Sequence, residues 1–438
     1  MDDAVAMASA DQHNAAMQEH FRSWPFRLGK AVIALSGHLF GFWAMVIILA
    51  VVANIPVLQL LSFGYLLEAS GRIGRTGRLR NGFPGLRQAS RLAGGLLGTC
   101  LCLIPLWMIS HQWYAAYMIE PASTTTHFLR ASQVALLALT LPHLLAAWFC
   151  GGQLRQFVWP LVAPLAIFGW LLNTCLSWHK VRQLVKRPLA CISRHLMEDV
   201  DRMSPLADWF LPAMVFQRCR HGELWSRARD QLWRFVASIA LKRLAYVGFW
   251  GFLGTAVWLF VPTCLLIATT ANSSPTSGLL GVLGTWLATI VFTILLPLQT
   301  QFAVELNFRK LFDVRSAWHQ VRLAPHWYWL AQLLTLLLAL PLFLAKIEEI
   351  PRELWWLLSF VYVLAGWLSR VAIGWCYAVA RNRRQLPSGW WALPVMALMV
   401  PLSFVFVFIM FFTRYVSWHG AWSMIENPVF LLPAPFWL

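Results

Sequence analysis

The chain has 438 residues, of which 59% are hydrophobic and only 12% are charged, and its mean hydropathy is +0.60. About a quarter of the residues in soluble domains are charged, so this composition excludes an ordinary soluble protein. The net charge of +17 suggests a nucleic-acid partner at first sight. The basic residues lie in short segments between apolar runs, however, as in cytoplasmic loops of membrane proteins. We therefore expect a lipid bilayer as partner, and no nucleic acid.

The apolar runs predict helices rather than barrel strands. Each longer run holds about 18 to 27 continuously apolar residues, whereas a barrel strand has about ten residues of alternating polarity. Hydrocarbon also demands an internal partner for every backbone amide. We predict an all-α polytopic membrane protein of about 9–10 membrane segments, some broken or re-entrant at proline. The runs cover residues 30–53, 55–67, 92–118, 131–150, 157–176, 244–269, 278–300, 327–345, 354–380 and 390–412.

This pattern divides the chain into five predicted regions. They are a polar N-terminal segment (1–29), an N-terminal membrane bundle (30–176), a basic cytoplasmic or interfacial helical segment (177–243), a C-terminal membrane bundle (244–412) and an aromatic C-terminal tail (413–438). Polar and apolar residues alternate with helical spacing in 223–239 and in 304–322. That spacing predicts two basic amphipathic helices lying on an anionic membrane surface.

The first apolar run is too long for one crossing. A helix from Ala31 to Leu67 would measure about 55 Å, against roughly 30 Å of hydrocarbon. Proline cannot donate to the helix ladder and disfavours helix in the preceding residue, so Asn54 to Pro56 is the expected break. The piece after the break, 55–67, is short enough to cross, to re-enter or to lie along the interface. These alternatives remain open.

An arginine-glycine segment follows that run. Arg72, Arg75 and Arg78 are three residues apart and would form one cationic edge if the segment were helical. The interleaved glycines disfavour a helix in water, which favours a segment bound to headgroups or packed against protein. The Gly-Lys-Ser/Thr ending of a phosphate loop is missing. With Arg80 added, these four arginines are the candidate contacts of anionic lipid or of an acidic membrane-protein partner, and the simpler alternative is a topology signal only.

Lysine and arginine counts assign sides to the C-terminal half. Segments 301–326 and 381–389 are basic, whereas 271–277 has no lysine or arginine. Positive segments stay in the cytoplasm, so we predict 301–326 and 381–389 to be cytoplasmic and the C-terminus to be outside, in a bacterial inner membrane.

The same counts give no consistent assignment of membrane sides in the N-terminal half. Segments 68–91 and 177–243 are both strongly basic, yet three apolar runs separate them. One run must then fail to cross, and 157–176, which contains Pro160 and Pro164, is the candidate. An inverted duplication is an alternative, since similar segments begin at 68 and 301 and an odd number of crossings inverts the second copy. The side of the N-terminus is left open.

Four polar residues inside the runs are costly in hydrocarbon and are therefore candidate functional residues. They are His38, His143, Arg370 and Asn54. Glu68, near a run end, is expected to reach the interface or to pair with nearby arginines. Structural polar packing between helices is the simpler interpretation of this set.

A complete catalytic motif is missing. Lys180, Arg187 and Pro188 match the opening motif of membrane phosphatidic-acid phosphatases, but Trp390 and Cys376 stand where that chemistry needs histidines. Cysteines and histidines at 191, 195, 219 and 221 match no common zinc spacing. We expect no catalytic residue, no cofactor and no metal site.

The order of an apolar run, a proline break, Gly64-Tyr65-Leu66, arginines and Phe83-Pro84 resembles a family of uncharacterised bacterial and archaeal multi-span proteins. In that family a Gly-Tyr-Leu turn precedes a basic loop. The resemblance covers roughly residues 45 to 110 and implies no activity and no functional residues. The sequence favours a non-enzymatic membrane protein that organises lipids or a membrane complex through a basic cytoplasmic face. The alternative is a transporter or permease for a small molecule or lipid.

Overall fold

The computed structural model describes residues 35–154, 156–160, 211, 215, 220, 224–271, 275–344, 351, 354–383, 392–417, 420 and 430–433. Within these ranges the chain is 90% helical and contains no strand. Eight helices there are long and apolar enough to cross a membrane. The predicted all-α, multi-pass membrane fold is therefore confirmed. Most of the predicted run 157–176 lies outside the described residues.

Eleven α-helices and two short 3₁₀ helices form the described part of the chain. The α-helices are α1 (Leu35–Ala53), α2 (Gln59–Thr76), α3 (Leu86–Ile119), α4 (Thr124–Phe149), α5 (Leu224–Ile239), α6 (Leu241–Ala271), α7 (Pro275–Glu305), α8 (Val314–Leu323), α9 (Pro325–Leu344), α10 (Trp355–Asn382) and α11 (Ala392–Val416). The 3₁₀ helices are η1 (Leu79–Gly82) and η2 (Phe308–Leu311).

The helices belong to two compact units. Unit 1 comprises residues 1–37 and 87–239, and unit 2 comprises residues 38–86 and 240–438. The sequence-based division kept 30–176 together as one N-terminal bundle. The structure instead groups 38–86 with the C-terminal helices, because α2 is packed among α6, α7 and α10.

The long first run breaks where the proline predicts. Helix α1 ends at Ala53, and α2 begins at Gln59 after a turn in which Val57 has φ of 71°. Helix α2 then continues beyond the apolar run to Thr76, and 12 of its 18 residues are buried. The piece after the break is thus an internal helix of unit 2 rather than an extension along the interface. Gly64, Tyr65 and Leu66 lie within α2 and form no turn.

Close backbone approaches hold α2 in place. A Cβ atom on Gly64 would lie within 3.0 Å of the carbonyl oxygen of Leu244, and one on Gly248 equally close to that of Leu60. Helices α2 and α6 therefore cross at two glycines, which is how small residues bring helices together in membranes. Gly71 meets α7 in the same way, at the carbonyl of Ala303. The same glycines that disfavour a helix in water allow this buried helix to pack closely against its neighbours.

Several helix ends meet at one end of unit 2. Arg75, near the end of α2, bonds the last turn of α7, and Arg243, at the start of α6, bonds Glu68 of α2. Arg381, near the end of α10, donates to the backbone of Arg75. We call this part of unit 2 the basic end. An even number of crossings is therefore expected between α2 and α6, and the candidate spans described between them are α3 and α4.

An inverted duplication does not fit this arrangement. It would place the ends of α2 and α7 on opposite sides, whereas the two ends are in contact. Both helices also stop in the same way, with a left-handed residue (Gly77, φ 65°; Leu306, φ 57°) followed by a 3₁₀ helix. The similarity between the two segments therefore relates two helices, α2 and α7, whose C-terminal ends lie on the same side.

The two predicted surface helices differ in outcome. Residues 224–239 form α5. Residues 304–322 do not form a single helix, because Leu306 adopts a left-handed conformation and α7 ends just before it. Asn307 then accepts a hydrogen bond from the amide of Arg309 and starts η2, and Asp313 accepts one from the amide of Ser316 and starts α8. Two polar caps thus divide the predicted helix.

Unit 1 contains a hairpin of two candidate spans. Helices α3 and α4 are joined by residues 120–123, and Ser123 caps α4 by accepting from the amide of Thr126 at 3.2 Å. Trp148 donates from α4 to Thr99 of α3 at 3.1 Å. Gly95 of α3 leaves room for the ring of Trp148 on α4. Interhelical polar and small-residue contacts therefore join the pair.

Candidate functional site

Three arginines share one buried carboxylate at the basic end. Glu68 is fully buried on α2. Its Oε1 lies 2.8 Å from Arg72 Nε and 2.9 Å from Arg75 Nη2, both on the same helix. Arg243 of α6 places Nη2 3.1 Å from that oxygen. Three positive charges against one negative charge leave the cluster with a formal excess of two positive charges. We call these four residues the Glu68 cluster, and it confirms the expected pairing of Glu68 with arginines.

Arg75 also binds the end of a neighbouring helix. Its Nη1 donates to the carbonyl oxygens of Ala303 at 2.6 Å and Val304 at 3.0 Å, in the last turn of α7. These carbonyls have no partner within their own helix and carry partial negative charge. Burial lowers the pKa of the Arg75 guanidinium, and the charge of Glu68 opposes that shift. Arg75 therefore joins α2 to α7.

Exposed cations surround the cluster at the same end. Those in the described ranges are Arg78, Arg80, Lys242, Arg309, Arg315, Arg322, Arg381 and Arg383. Two acidic side chains lie among them, Glu305 and Asp313, and each is within 3.5 Å of the Lys310 ammonium. The exposed cations thus outnumber the acidic groups available to neutralise them. We call this set of eight the cationic face.

Lys310 and Asp313 perturb each other at the start of α8. The hydrogen bond to Asp313 raises the pKa of the Lys310 ammonium, and the charge of Glu305 adds to the effect. The amide of Ser316 lowers the pKa of the Asp313 carboxyl, and the hydrogen bond from Lys310 adds to it. Both groups are therefore held in their charged forms.

The four predicted arginines separate into two pairs. Arg72 and Arg75 form ion pairs with Glu68 and so stabilise unit 2. Arg78 and Arg80 are exposed, and neither makes an ion pair within the described part of the chain. The expected single edge of Arg72, Arg75 and Arg78 does not form, because α2 ends at Thr76 and Arg78 is extended. Only Arg78 and Arg80 remain available to an outside anion.

A second polar site lies inside unit 2, around Arg370. Arg370 is fully buried in α10, about 18 Å along the helix from its end at Asn382. Its guanidinium lies 5.7 Å from the ring centroid of Phe63 on α2. Nη2 donates to the carbonyl oxygen of Phe430, and Nε and Nη1 have no hydrogen-bond partner among the described residues. Arg370 also has no acidic partner within those residues.

Three neighbouring donors bind three consecutive carbonyl oxygens. Arg370 donates to Phe430 and Tyr362 donates to Leu432, both from α10. Gln299 of α7 donates to Leu431 at 2.8 Å. Phe430 and Leu431 are themselves buried. Residues 430–433 therefore lie between the helices of unit 2.

A network of amide and hydroxyl groups adjoins this segment. Gln332 of α9 donates to Ser403 of α11, which also accepts from Thr293 of α7 at 2.9 Å. Leu431 and Gln332 line a small cavity of about 10 Å³, and the Gln332 Oε1 atom has no partner among the described residues. That volume is close to what one water molecule needs. Polar groups thus connect α7, α9 and α11 beside the Arg370 site.

The other three intramembrane candidates have different surroundings. His38 is exposed on α1. His143 Nε2 lies 3.2 Å from the carbonyl oxygen of Phe157 in unit 1. Asn54 donates to the carbonyl of Ala50 at 2.9 Å and accepts from Ser359 at 2.7 Å. Backbone and side-chain bonding accounts for His143 and Asn54, and of the four candidates only Arg370 joins a polar site.

Sequence reasoning missed several members of both sites. In the sequence, Arg243 is one of many cations of a basic segment. The predicted candidate residues do not include Gln299, Gln332 or Tyr362. An amide inside an apolar run was a usable signal, because buried amides need partners. The place of residues 430–433 had no signal, since an aromatic tail is equally at home at the interface.

Among the described residues, no group of three or more histidine, cysteine, aspartate or glutamate side chains lies close enough to hold a metal ion. The cysteines and histidines at 191, 195, 219 and 221 lie outside those residues, as do Lys180 and Arg187. No protein-family model, curated protein or solved structure matches the chain. The protein is an integral, multi-pass membrane protein.

Proposed function

We propose that the protein is a non-enzymatic component of a bacterial inner membrane that binds anionic lipid headgroups through its cationic face. The observation that carries this proposal is the gathering of exposed, unneutralised cations at one end of unit 2, from the η1 and η2 segments and from α6, α8 and α10. Cytoplasmic segments are the basic ones, so this end faces the cytoplasm and the anionic inner leaflet. Its role is to organise lipid around the bundle.

Two features, one at the basic end and one in unit 1, support this role over a topology signal alone. Arg78 and Arg80 are exposed beside the Glu68 cluster, which has its own excess of positive charge. Each lysine or arginine near an anionic surface contributes about 1 kcal/mol of attraction. Helix α5 also keeps Trp225, Leu232 and Trp233 exposed, as an amphipathic helix at an interface does.

Lipid selectivity tests the proposal directly. The full chain is reconstituted in vesicles containing spin-labelled phosphatidylglycerol or spin-labelled phosphatidylcholine, and the immobilised fraction of each is measured. We expect preference for phosphatidylglycerol, a several-fold loss of it in the Arg78→Gln, Arg80→Gln variant, and a loss at high salt. The control is Arg130→Gln, which removes an exposed cation of unit 1. Equal immobilisation of the two lipids at physiological salt would refute the proposal.

The second candidate function is transport of a small molecule or lipid. It is favoured by Arg370, a buried cation on a candidate span, because intramembrane charges commonly mark substrate pathways. Its test is uptake of labelled phosphate and carboxylates into proteoliposomes. We expect Arg370→Ala to abolish uptake and His143→Ala to leave most of it. Absence of flux with every solute in the pool counts against transport.

A further inference from the structure

We propose that Arg370, Gln299 and Tyr362 form a binding site for an oxyanion, a carboxylate or a phosphate, and that residues 430–433 close this site by occupying it. The proposal concerns binding, so it stands whether or not the bound group is carried across the membrane. It is also independent of the cationic face at the basic end.

The charge of Arg370 is the first step. A guanidinium removed from water needs compensation, and a neutral carbonyl oxygen supplies only one hydrogen bond and no charge. The ring of Phe63 at 5.7 Å adds a weak electrostatic partner. Within the described residues Arg370 has no acidic partner, and its Nε and Nη1 atoms are unbonded. The site is therefore short of negative charge and of acceptors.

The arrangement of donors is the second step. Arg370, Gln299 and Tyr362 come from two helices and direct their donors to the carbonyl oxygens of residues 430, 431 and 432. Donors directed to three consecutive carbonyl oxygens also suit the oxygens of a carboxylate or phosphate. The planar fork of arginine matches these groups in particular. The three carbonyls thus stand where an oxyanion would bind.

The packing of the segment makes it a removable occupant. Phe430 is fully buried, 5.5 Å from Tyr362 between ring centroids, and it contacts the side of α10 at Gly366. The adjoining cavity has room for about one water molecule, so a larger ligand enters only when residues 430–433 leave. Weakening this segment should therefore strengthen ligand binding.

Binding to the full-length protein tests the proposal in two arms. In detergent, labelled inorganic phosphate and labelled acetate measure binding of free oxyanions. In phosphatidylcholine nanodiscs with added phosphatidylglycerol, native mass spectrometry counts retained anionic lipid. Phe430→Ala and Leu431→Ala each remove a buried side chain of the segment and leave the three donors in place. We expect both to tighten binding in one arm by about tenfold or more, and Arg370→Gln to abolish it in the Phe430→Ala background.

The two arms distinguish a soluble oxyanion from a lipid headgroup. Arg370→Lys keeps the charge and loses the fork, so we expect it to retain part of the binding. If Arg370→Gln does not fold, the outcome rests on Leu431→Ala and Phe430→Ala. Unchanged affinity in both of these variants would overturn the proposal. So would anion binding in Phe430→Ala, Arg370→Gln equal to that in Phe430→Ala alone.

Discussion

At the scale of single residues, two buried ionisable groups of unit 2 are stabilised in different ways. Glu68 is fully buried and receives three arginines. Arg370 is equally buried, yet its partners among the described residues are a carbonyl oxygen and an aromatic ring. A buried charge with full pairing is a structural centre, whereas one with unbonded donors is suited to bind a ligand. The different pairing separates the stabilising site from the candidate binding site.

Removing the carboxylate of Glu68 should destabilise unit 2. In Glu68→Gln three arginines lose their counter-ion, and we expect a loss of about 2 kcal/mol, less than the roughly 3–5 kcal/mol of a fully buried pair because the arginines are partly exposed. Thermal unfolding in detergent, followed by circular dichroism, measures this loss. The control is Glu305→Gln, an exposed residue 3.5 Å from Lys310, which should change little. Equal effects of the two substitutions would contradict the prediction.

The start of α8 should depend on pH through Asp313. Its pKa is lowered from 3.8, so its stabilisation is present above that pH and is lost as pH falls through the lowered pKa. The protection factor of the Ser316 amide, measured by hydrogen exchange and corrected for the intrinsic rate at each pH, should therefore fall in acid. Asp313→Asn should remove most of this pH dependence while keeping an oxygen able to cap. A protection factor with the same acid dependence in that variant would exclude Asp313 as the cause.

At the scale of elements, the course of α2 shows where sequence reasoning works and where it stops. The break at Pro56 follows from the missing amide donor, and the helix bounds confirm it. Intrinsic propensity disfavours helix in the glycine-rich segment, yet α2 continues through Gly71 and Gly74. Packing against α6 and α7 overrides propensity there, because only small residues permit such close approach. The single helix expected at 304–322 was wrong because local caps outweighed its periodic pattern.

The crossing of α2 and α6 should be sensitive to one added methyl group. In Gly248→Ala the new Cβ would meet the carbonyl of Leu60 within 3.0 Å, so the helices must separate. We expect a loss of about 1–3 kcal/mol, measured by thermal unfolding. Gly278→Ala is the matched control, because no atom lies within 4 Å of its Cβ position and alanine favours helix. The crossing is not rigid if both variants unfold at the wild-type temperature.

At the scale of the whole molecule, helix ends decide the topology. Lysine and arginine counts place segments 68–91 and 177–243 on the same side of the membrane, yet three apolar runs separate them. That is one run more than an even number of crossings allows. The contact of Arg243 with Glu68 requires an even number of crossings between α2 and α6. The candidate spans described between them are α3 and α4, a hairpin of two helices. The contact of Arg75 with α7 removes the inverted duplication.

Labelling from one side tests this topology. Arg78→Cys and Lys242→Cys, each made in a chain with its native cysteines changed to serine, should react with an impermeant maleimide in inverted vesicles and not in intact cells. Thr276→Cys, at the start of α7 and far from the basic end, should show the opposite pattern. Reaction of Arg78→Cys and Lys242→Cys from opposite sides would refute the even number of crossings.

The sequence by itself determined that the protein lies in a lipid bilayer, that it is helical and that its first apolar run breaks at Pro56. It also determined that basic residues are concentrated in certain segments between the apolar runs. These follow from hydrophobicity, backbone hydrogen bonding and charge, which act locally along the chain. Only the tertiary structure decided that α2 is internal, that Arg72 and Arg75 serve Glu68, and that residues 430–433 bind beside Arg370. Those outcomes depend on which distant segments meet, and burial of a polar group is settled by the partners that packing brings to it.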